Sequence, residues 1–173
     1  MPYVQLYYHL VWATKNRAPL LTTEVEPVIY GYIRSKAVGL GATVYALNGV
    51  ADHVHLVAAI PPSIAVAKFV GQVKGVASTR FNKAGSNGTP FFWQAEYGAF
   101  SFDQKRLPNY VGYVLNQKEH HSDRHIIPVL ERTEDLQMLA EPGGSYAIEN
   151  TDWWREMLGF PGMVPEDEEE ARG

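Results

Sequence analysis

The chain has 173 residues, of which 46% are hydrophobic and 20% charged, so it is long enough for one domain with a real core plus a modest extension. It contains no cysteine, which excludes disulfides, zinc–thiolate clusters and cysteine nucleophiles. The first residues lack the basic-then-apolar plan of a signal peptide, and no apolar run reaches membrane-spanning length. We therefore expect a soluble cytoplasmic protein.

Charge is divided unevenly along the chain. Residues 1–127 carry 12 lysines and arginines against 7 acidic residues, whereas residues 128–173 carry 3 against 12. The formal net charge of −4 thus combines a basic part of +5 with an acidic part of −9, and all six histidines lie in the basic part. We predict a domain over 1–127 that holds the chemistry and any affinity for phosphate, followed by an acidic extension that is partly helical and disordered at its end.

Residue patterns predict alternating strands and helices in the first domain. Residues 3–13 are dense in aromatic and β-branched residues and predict a strand. A helix is expected from Thr22 or Thr23, with Glu26 placed for a capping box on Thr23, and it should stop at Gly39 or Gly41. The remaining predictions are strands over 42–50 and 51–60, a helix over 64–83 with Ser63 as its cap, a strand over 91–102, and a helix over 103–124.

This order predicts an α+β fold of the ferredoxin-like βαββαβ type: a four-stranded antiparallel sheet with two helices on one face. The first and third strands are central in such a sheet. The additional C-terminal helix has no place in the basic motif, so it must pack elsewhere on the domain.

The third predicted strand carries His53 and His55, whose side chains point to the same face because strand residues alternate. Two imidazoles on one rigid face are the beginning of a metal site, although two ligands rarely hold a divalent ion alone. The other interpretation is two polar residues on an exposed strand face. Asp52 precedes the pair and either orients a ligand imidazole or simply forms a turn. His9 lies on the neighbouring strand, where we expect core packing or support of a ligand.

The last predicted helix places Tyr113 and Gln117 on one face, four residues apart. Tyr113 is a candidate nucleophile, but Tyr110 lies one turn earlier and competes for that role. Gln117 is a candidate ligand, and His121 on the same stripe is a rival ligand or a phosphate contact.

Several segments together resemble a known family. The strand H-V-H-L and the later helix Y-V-L-N-Q are similar to those of the single-tyrosine HUH transposases of small bacterial insertion sequences, including relatives associated with repetitive extragenic palindromes. The resemblance covers roughly residues 3–125 and includes Y-H-L-V-W, T-K-N-R and W-Q-A-E-Y-G-A-F-S. H-V-H alone is common, so it is the combination that is specific.

The resemblance implies a role for each matching residue. His53, His55 and Gln117 would bind a divalent metal, Mg²⁺ or Mn²⁺, and Tyr113 would attack the DNA phosphate to form a 5′-phosphotyrosine. The substrate would be single-stranded DNA near a hairpin. The additional helix would cross to the second subunit of a homodimer, so that the active site is shared between subunits.

Basic residues are the candidates for contacts with the DNA backbone, although scattered solubilising charge explains any one of them equally well. Trp93 is a candidate for stacking on an unpaired base. The candidate phosphate contacts are Lys15, Arg17, Lys68, Lys74, Arg80, Lys83, Lys105 and Arg106.

Other functions share parts of this pattern. A domesticated relative would nick chromosomal palindromic repeats without moving an element of its own, and a catalytically silent descendant would only bind DNA. A metallohydrolase of small substrates would need the two histidines but not Tyr113. The acidic end has no assigned role, and one hypothesis is that it lowers non-specific DNA binding by competing for the basic surface.

Overall fold

A computed structural model describes residues 3–85 and 88–133. The predicted helices after Glu131 and the predicted disordered end lie outside these residues. The strands are β1 (Tyr7–Ala13), β2 (Thr43–Val50), β3 (His53–Ala59) and β4 (Gly98–Phe102), and the helices are α1 (Val25–Gly39), α2 (Val66–Lys83), α3 (Leu107–Leu115) and α4 (Gln117–Ser122). Short 3₁₀ helices span Lys15–Arg17, Gln104–Arg106 and Pro128–Glu131. None of the described helices is both long and apolar enough to cross a membrane.

The four strands form one antiparallel sheet in the order β2-β3-β1-β4, which confirms the ferredoxin-like prediction. β1 and β3 are the central strands, as expected. His55 is paired with Val11 on one side and Asn48 on the other. A central strand is hydrogen-bonded along both edges, so its side chains stand on the most rigid part of the sheet.

Strand alternation divides the sheet into two different faces. Val54, Leu56 and Ala58 of β3 point into an apolar core formed with α1 and α2. Val57 points the other way, into a second cluster that includes Tyr113 of α3 and Leu130. The additional helix therefore packs across the free face of the sheet, and both faces are covered.

Several predicted boundaries were wrong. β1 begins at Tyr7 rather than residue 3. α1 begins at Val25, and its amide donates to Thr22 Oγ1 (3.3 Å), so Thr22 and not a Thr23–Glu26 box provides the side-chain contact at this end. The helix ends at Gly39, and Gly41 adopts a positive φ of 86° in the turn that follows.

The start of α2 also differs from the prediction. Ala65 occupies the N-cap position and no side chain caps the helix, so Ser63 is not its cap. Pro61 and Pro62 instead set the turn before the helix, where proline readily adopts the required backbone conformation.

The fourth strand is shorter than predicted: β4 begins at Gly98, and residues 91–97 run along α2 with only an isolated bridge between Trp93 and Thr14. Lys74 of α2 is only 8% exposed, and its Nζ donates to the carbonyl oxygens of Gln94 (2.6 Å), Ala95 (3.0 Å) and Glu96 (3.0 Å). Burial lowers the pKa of Lys74 to about 8. These contacts favour a structural role for Lys74, since its ammonium group holds a chain segment in place, over the predicted contact with phosphate.

Trp93 belongs to the same segment and is half-buried. Its indole Nε1 donates to Lys74 O (3.1 Å), and its ring packs edge-on against Trp12 at 5.9 Å between centroids. It extends the apolar core, so base stacking is not the role that these contacts favour.

The predicted C-terminal helix is interrupted at Asn116, whose φ of −98° and ψ of 17° are not helical. α3 and α4 are therefore two separate helices. Tyr113 and Gln117 lie on opposite sides of this break, although Gln117 Nε2 still reaches Tyr113 O (3.3 Å).

Candidate metal and nucleophile site

β3 presents His53 and His55 on the face covered by α3 and α4, where they are 3% and 0% exposed. Each Nδ1 atom has a partner: Asp52 Oδ1 lies 2.6 Å from His53 Nδ1, and His9 Nε2 lies 2.8 Å from His55 Nδ1. These contacts hold both rings so that their Nε2 atoms face the same point. The predicted exposed strand face is not observed.

A carboxylate occupies the point on which the histidines converge. Glu131 Oε2 lies 2.9 Å from His53 Nε2, 3.1 Å from His55 Nε2 and 3.3 Å from His121 Nε2. The ligand-type atoms of these four residues all lie within 4.8 Å of one another. Although burial alone would raise it, the pKa of Glu131 is held well below its usual range by the three histidines that contact its Oε2.

The two ligand histidines have opposite pKa shifts. Burial lowers the pKa of His55 below its ordinary value, against the opposing influence of Glu131. Burial also acts to lower the pKa of His53, but the carboxylates of Asp52 and Glu131 outweigh it and raise the value. The difference follows from the partners at Nδ1, a carboxylate for His53 and a neutral imidazole for His55.

Tyr113 adjoins this cluster and is completely buried. Its hydroxyl donates to Glu131 Oε1 (2.5 Å) and accepts a hydrogen bond from the amide of Ile127 (3.0 Å). Burial raises the pKa of the Tyr113 phenol well above 10, and the charge of Glu131 adds to this increase. The phenol is therefore protonated and bonded to the carboxylate that the histidines hold.

The competing tyrosine occupies a different position. The Tyr110 ring stacks on Phe102 at 3.9 Å between centroids and lies 5.8 Å from the His9 ring. It belongs to the apolar cluster beneath α3. Of the two candidates, Tyr113 is the one with a described hydrogen bond to the histidine–glutamate cluster.

Gln117 and His121 both lie on α4. Gln117 is fully buried, and its Oε1 accepts no hydrogen bond from the described residues. A buried amide oxygen without a donor is suited to a ligand that the described structure does not include. His121 belongs to the convergent set, whereas the ligand role of Gln117 stays a prediction.

Basic candidates other than Lys74 remain at the surface. Arg17 lies beside the site, because its guanidinium is 3.5 Å from Asp52 Oδ2. The turn that holds it is fixed to the histidine strand, since the Thr14 amide donates to Asp52 O (2.8 Å). The exposed candidates are Lys15, Arg17, Lys68, Arg80, Lys83 and Lys105, and Arg106 is half-buried.

The sequence did not indicate Glu131, which lies 76 residues from His55 in the part assigned to the acidic extension. The predicted boundary at residue 127 thus separates Glu131 from the histidines that it contacts. Glu131 stands among many acidic residues, and no spacing distinguishes it from the others. The close pairing of His9 with His55 matches one of the two expectations for His9.

The fold and the site together define an α+β protein with a buried histidine pair and a tyrosine at one centre on a ferredoxin-like sheet. The family model of IS200-like transposases matches residues 2–117, and the chain belongs to this family. The match includes Tyr113 and ends at Gln117, so His121 and Glu131 lie beyond it.

Curated relatives support this membership. The chain is 36% identical over 76 residues to the ISDra2 transposase TnpA of Deinococcus radiodurans, covering 44% of this chain and 54% of the relative. It is 30% identical over 71 residues to the transposase for insertion sequence element IS200 of Salmonella typhimurium, covering 41% and 47%. The chain thus spans about half the length of the curated relatives that it matches.

Solved structures share the fold. A crystal structure from Deinococcus radiodurans R1, described as that of a transposase, has a TM-score of 0.53 and 24% identity, covering 72% of this chain and 95% of that one. A REP-associated tyrosine transposase bound to a REP hairpin has a TM-score of 0.52 and 13% identity, covering 73% and 76%. At these identities the likeness concerns the fold.

Proposed function

We propose that this protein is a transposase that cleaves and rejoins single-stranded DNA at hairpin-bearing ends, with Tyr113 as nucleophile and a divalent metal as cofactor. The observation that carries the proposal is the hydrogen bond from the Tyr113 hydroxyl to Glu131, whose second oxygen contacts His53 and His55. A nucleophile and a set of metal-binding atoms are thereby joined in one site.

The donor atoms fit a divalent cation. Hydrogen-bond partners at both Nδ1 atoms leave the Nε2 atoms of His53 and His55 available as ligands, and Gln117 Oε1 is buried without a donor. His53, His55 and Gln117 would hold the ion in this proposal. When bound, it would polarise the scissile phosphate and stabilise its developing charge.

Tyr113 performs the covalent step. Its oxygen forms a bond to the 5′-phosphate as the phosphorus–oxygen bond to the 3′ side breaks, which leaves a free 3′-hydroxyl. The phenol donates a hydrogen bond to Glu131 Oε1, which orients the hydroxyl. The pKa of the phenol would have to fall on metal binding before its proton could leave to water. Reversal by another 3′-hydroxyl would rejoin DNA and restore the tyrosine without ATP.

Exposed basic residues near the site support DNA as the substrate. Arg17 lies beside Asp52 at the end of the histidine strand, and Lys15 lies on the same turn. Each could neutralise a backbone phosphate close to the nucleophile. We extend to this chain the hairpin recognition that the REP-bound relative exhibits, as part of the proposal.

A covalent-adduct experiment tests the proposal. Purified protein is incubated with Mn²⁺ or Mg²⁺ and labelled hairpin DNA from its own genomic flanks, then denatured and separated by electrophoresis. We expect the wild type to give a labelled band of protein with covalently attached DNA, and Tyr113→Phe to give no such band. Tyr110→Phe is the matched control, because it removes a buried phenol from the neighbouring helical turn. An adduct that survives in Tyr113→Phe, or that never forms in the wild type, contradicts the proposal.

The homodimer with a shared site is a separate part of the proposal. Here Tyr113 lies near its own chain's His55, with 6.2 Å between ring centroids, so one chain already brings both halves together. Mixing Tyr113→Phe with His55→Ala distinguishes the arrangements. Recovery of adduct formation in the mixture supports a shared site, whereas failure to recover indicates that each chain uses its own tyrosine.

A further inference from the structure

Glu131 is held in place by the apolar residues around it. Ile127 and Leu130 are fully buried in the cluster beneath α3. The following carbonyl, of Arg132, passes so close to Gly98 that a Cβ atom there would lie 2.0 Å from it. A side chain at Gly98 would thus displace this segment. The carboxylate stands on a packed segment and not at the tip of a free loop.

The spacing of the donor atoms matches that of ligands around one ion. Atoms bound at about 2.1 Å to a shared ion, at tetrahedral or octahedral angles, lie roughly 3.0–3.4 Å apart. Glu131 Oε2 lies 2.9–3.3 Å from the three histidine Nε2 atoms. These distances suit ligands around one ion, and they also suit N–H···O hydrogen bonds, so a metal titration is needed to distinguish the two.

The donor atoms of this cluster can be satisfied by hydrogen bonds or by a shared cation, depending on which ring nitrogens carry a proton. A neutral imidazole has a single N–H. If Asp52 receives the N–H of His53, the Nε2 atom presents a lone pair to Glu131, and the same holds for His55 when its Nδ1 donates to His9. In this tautomer the lone pairs of both rings face the carboxylate oxygen, and a cation among them would satisfy all of these atoms together. Without the cation, an Nε2–H on each ring would donate to Glu131 instead.

We propose that Glu131 and His121 join His53, His55 and Gln117 as ligands of the metal, while the second oxygen of Glu131 positions the hydroxyl of Tyr113. This deepens the proposed function, on which it rests, by naming an anionic ligand from beyond the family match. A carboxylate gives the site a negative charge, so the ion can bind before DNA arrives. Three imidazoles favour Mn²⁺, Co²⁺ or Zn²⁺ over Mg²⁺, which prefers oxygen ligands.

Calorimetric titration with Mn²⁺, without DNA, tests the ligand assignment. We expect Glu131→Gln, which keeps the shape of the side chain and removes its charge, to weaken Mn²⁺ binding by at least about tenfold. Loss of a residue that only hydrogen-bonds to a metal ligand already has an effect of about this size. Glu119→Gln is the matched control, because Glu119 is an exposed glutamate on α4 and should leave the affinity unchanged. Glu131→Asp should give an intermediate affinity, and it replaces Glu131→Gln if that variant does not fold.

Unchanged or tighter Mn²⁺ binding by Glu131→Gln would overturn the inference, because the carboxylate would then compete with the ion for the histidines. The titration uses no DNA, so its outcome is independent of the adduct experiment. Mn²⁺ binding that depends on Glu131, without any adduct, would refute the transposase mechanism and leave the ligand assignment intact. If the adduct forms but the Mn²⁺ affinity does not depend on Glu131, the ligand assignment is refuted and the transposase mechanism stands.

Discussion

The two faces of the sheet differ in the polarity of the side chains that they bury. The face covered by α1 and α2 buries an apolar set that includes Trp12, Ile33 and Phe69. The face covered by α3 and α4 is equally closed, yet it buries polar side chains, namely His9, His53, His55, Gln117 and His120. Burial of apolar surface stabilises a fold, whereas burial of polar groups costs free energy unless they are paired. The first face is therefore mainly apolar, whereas the second combines an apolar cluster with the buried histidines of the proposed site.

The largest effect should come from removing a ligand on the polar face. His55→Ala deletes an imidazole on the central strand, and we expect adduct formation to fall more than about 100-fold. This exceeds the usual effect of losing a residue that only hydrogen-bonds to a metal ligand. Thermal stability should also fall, because the change leaves a cavity and removes a partner of His9 and Glu131, so adduct formation is compared per folded molecule. Normal adduct formation per folded molecule would contradict a role for His55 in the proposed site.

The converse change on the apolar face should affect stability. Phe69→Ala removes a fully buried ring from the contact of α2 with the sheet, and we expect the free energy of unfolding to fall by about 3–5 kcal/mol. Chemical denaturation measures this change. Mn²⁺ affinity, measured where the variant is folded, should match the wild type, and a parallel loss of affinity would show that the faces are coupled.

Lys74 tests whether a charged residue on the apolar side has a structural role. Lys74→Met leaves three carbonyls without their donor, although those of the exposed residues Ala95 and Glu96 can reach water. We expect a loss of about 2 kcal/mol in unfolding free energy, within the range for unsatisfied polar groups. Lys68→Met, at an exposed position of the same helix, should be nearly neutral.

His9 allows a smaller test of the polar face. His9→Phe removes the partner of His55 Nδ1 and also a buried Nδ1 that has no partner among the described residues. We expect Mn²⁺ binding to weaken about tenfold, because the His55 ring is no longer held in one orientation and tautomer. The melting temperature should stay the same or rise. Unchanged affinity would mean that packing alone orients His55.

The smallest effect concerns the rim of the polar face. Lys15→Ala should lower the slope of log affinity for single-stranded DNA against log salt by about 0.7, as expected for one phosphate contact. Fluorescence anisotropy over a range of salt concentrations measures this slope. Arg34→Ala is the control, because Arg34 is an exposed residue of α1, which covers the opposite face of the sheet. It should leave the slope unchanged, and an equal change would indicate a non-specific charge effect.

Local patterns in the sequence determined much of this protein. Alternation placed His53 and His55 on one face, and the order of strands and helices predicted the sheet with β3 at its centre. Boundaries were less accurate, because β1 and β4 depend on which residues find a partner strand. The break at Asn116 and the shortened β4 are consequences of packing, which local propensity does not include.

Only the tertiary structure decided which distant residues complete the site. Sheet register brought His9 to His55, and the packing of Ile127 and Leu130 brought Glu131 to the histidines. The packing of residues 94–96 along α2 placed their carbonyl oxygens at the ammonium group of Lys74, a residue that the sequence presented as a candidate phosphate contact. Periodicity acts within one strand or helix and is therefore readable from the sequence. Contacts between segments depend on how whole elements pack, and no single residue spacing records them.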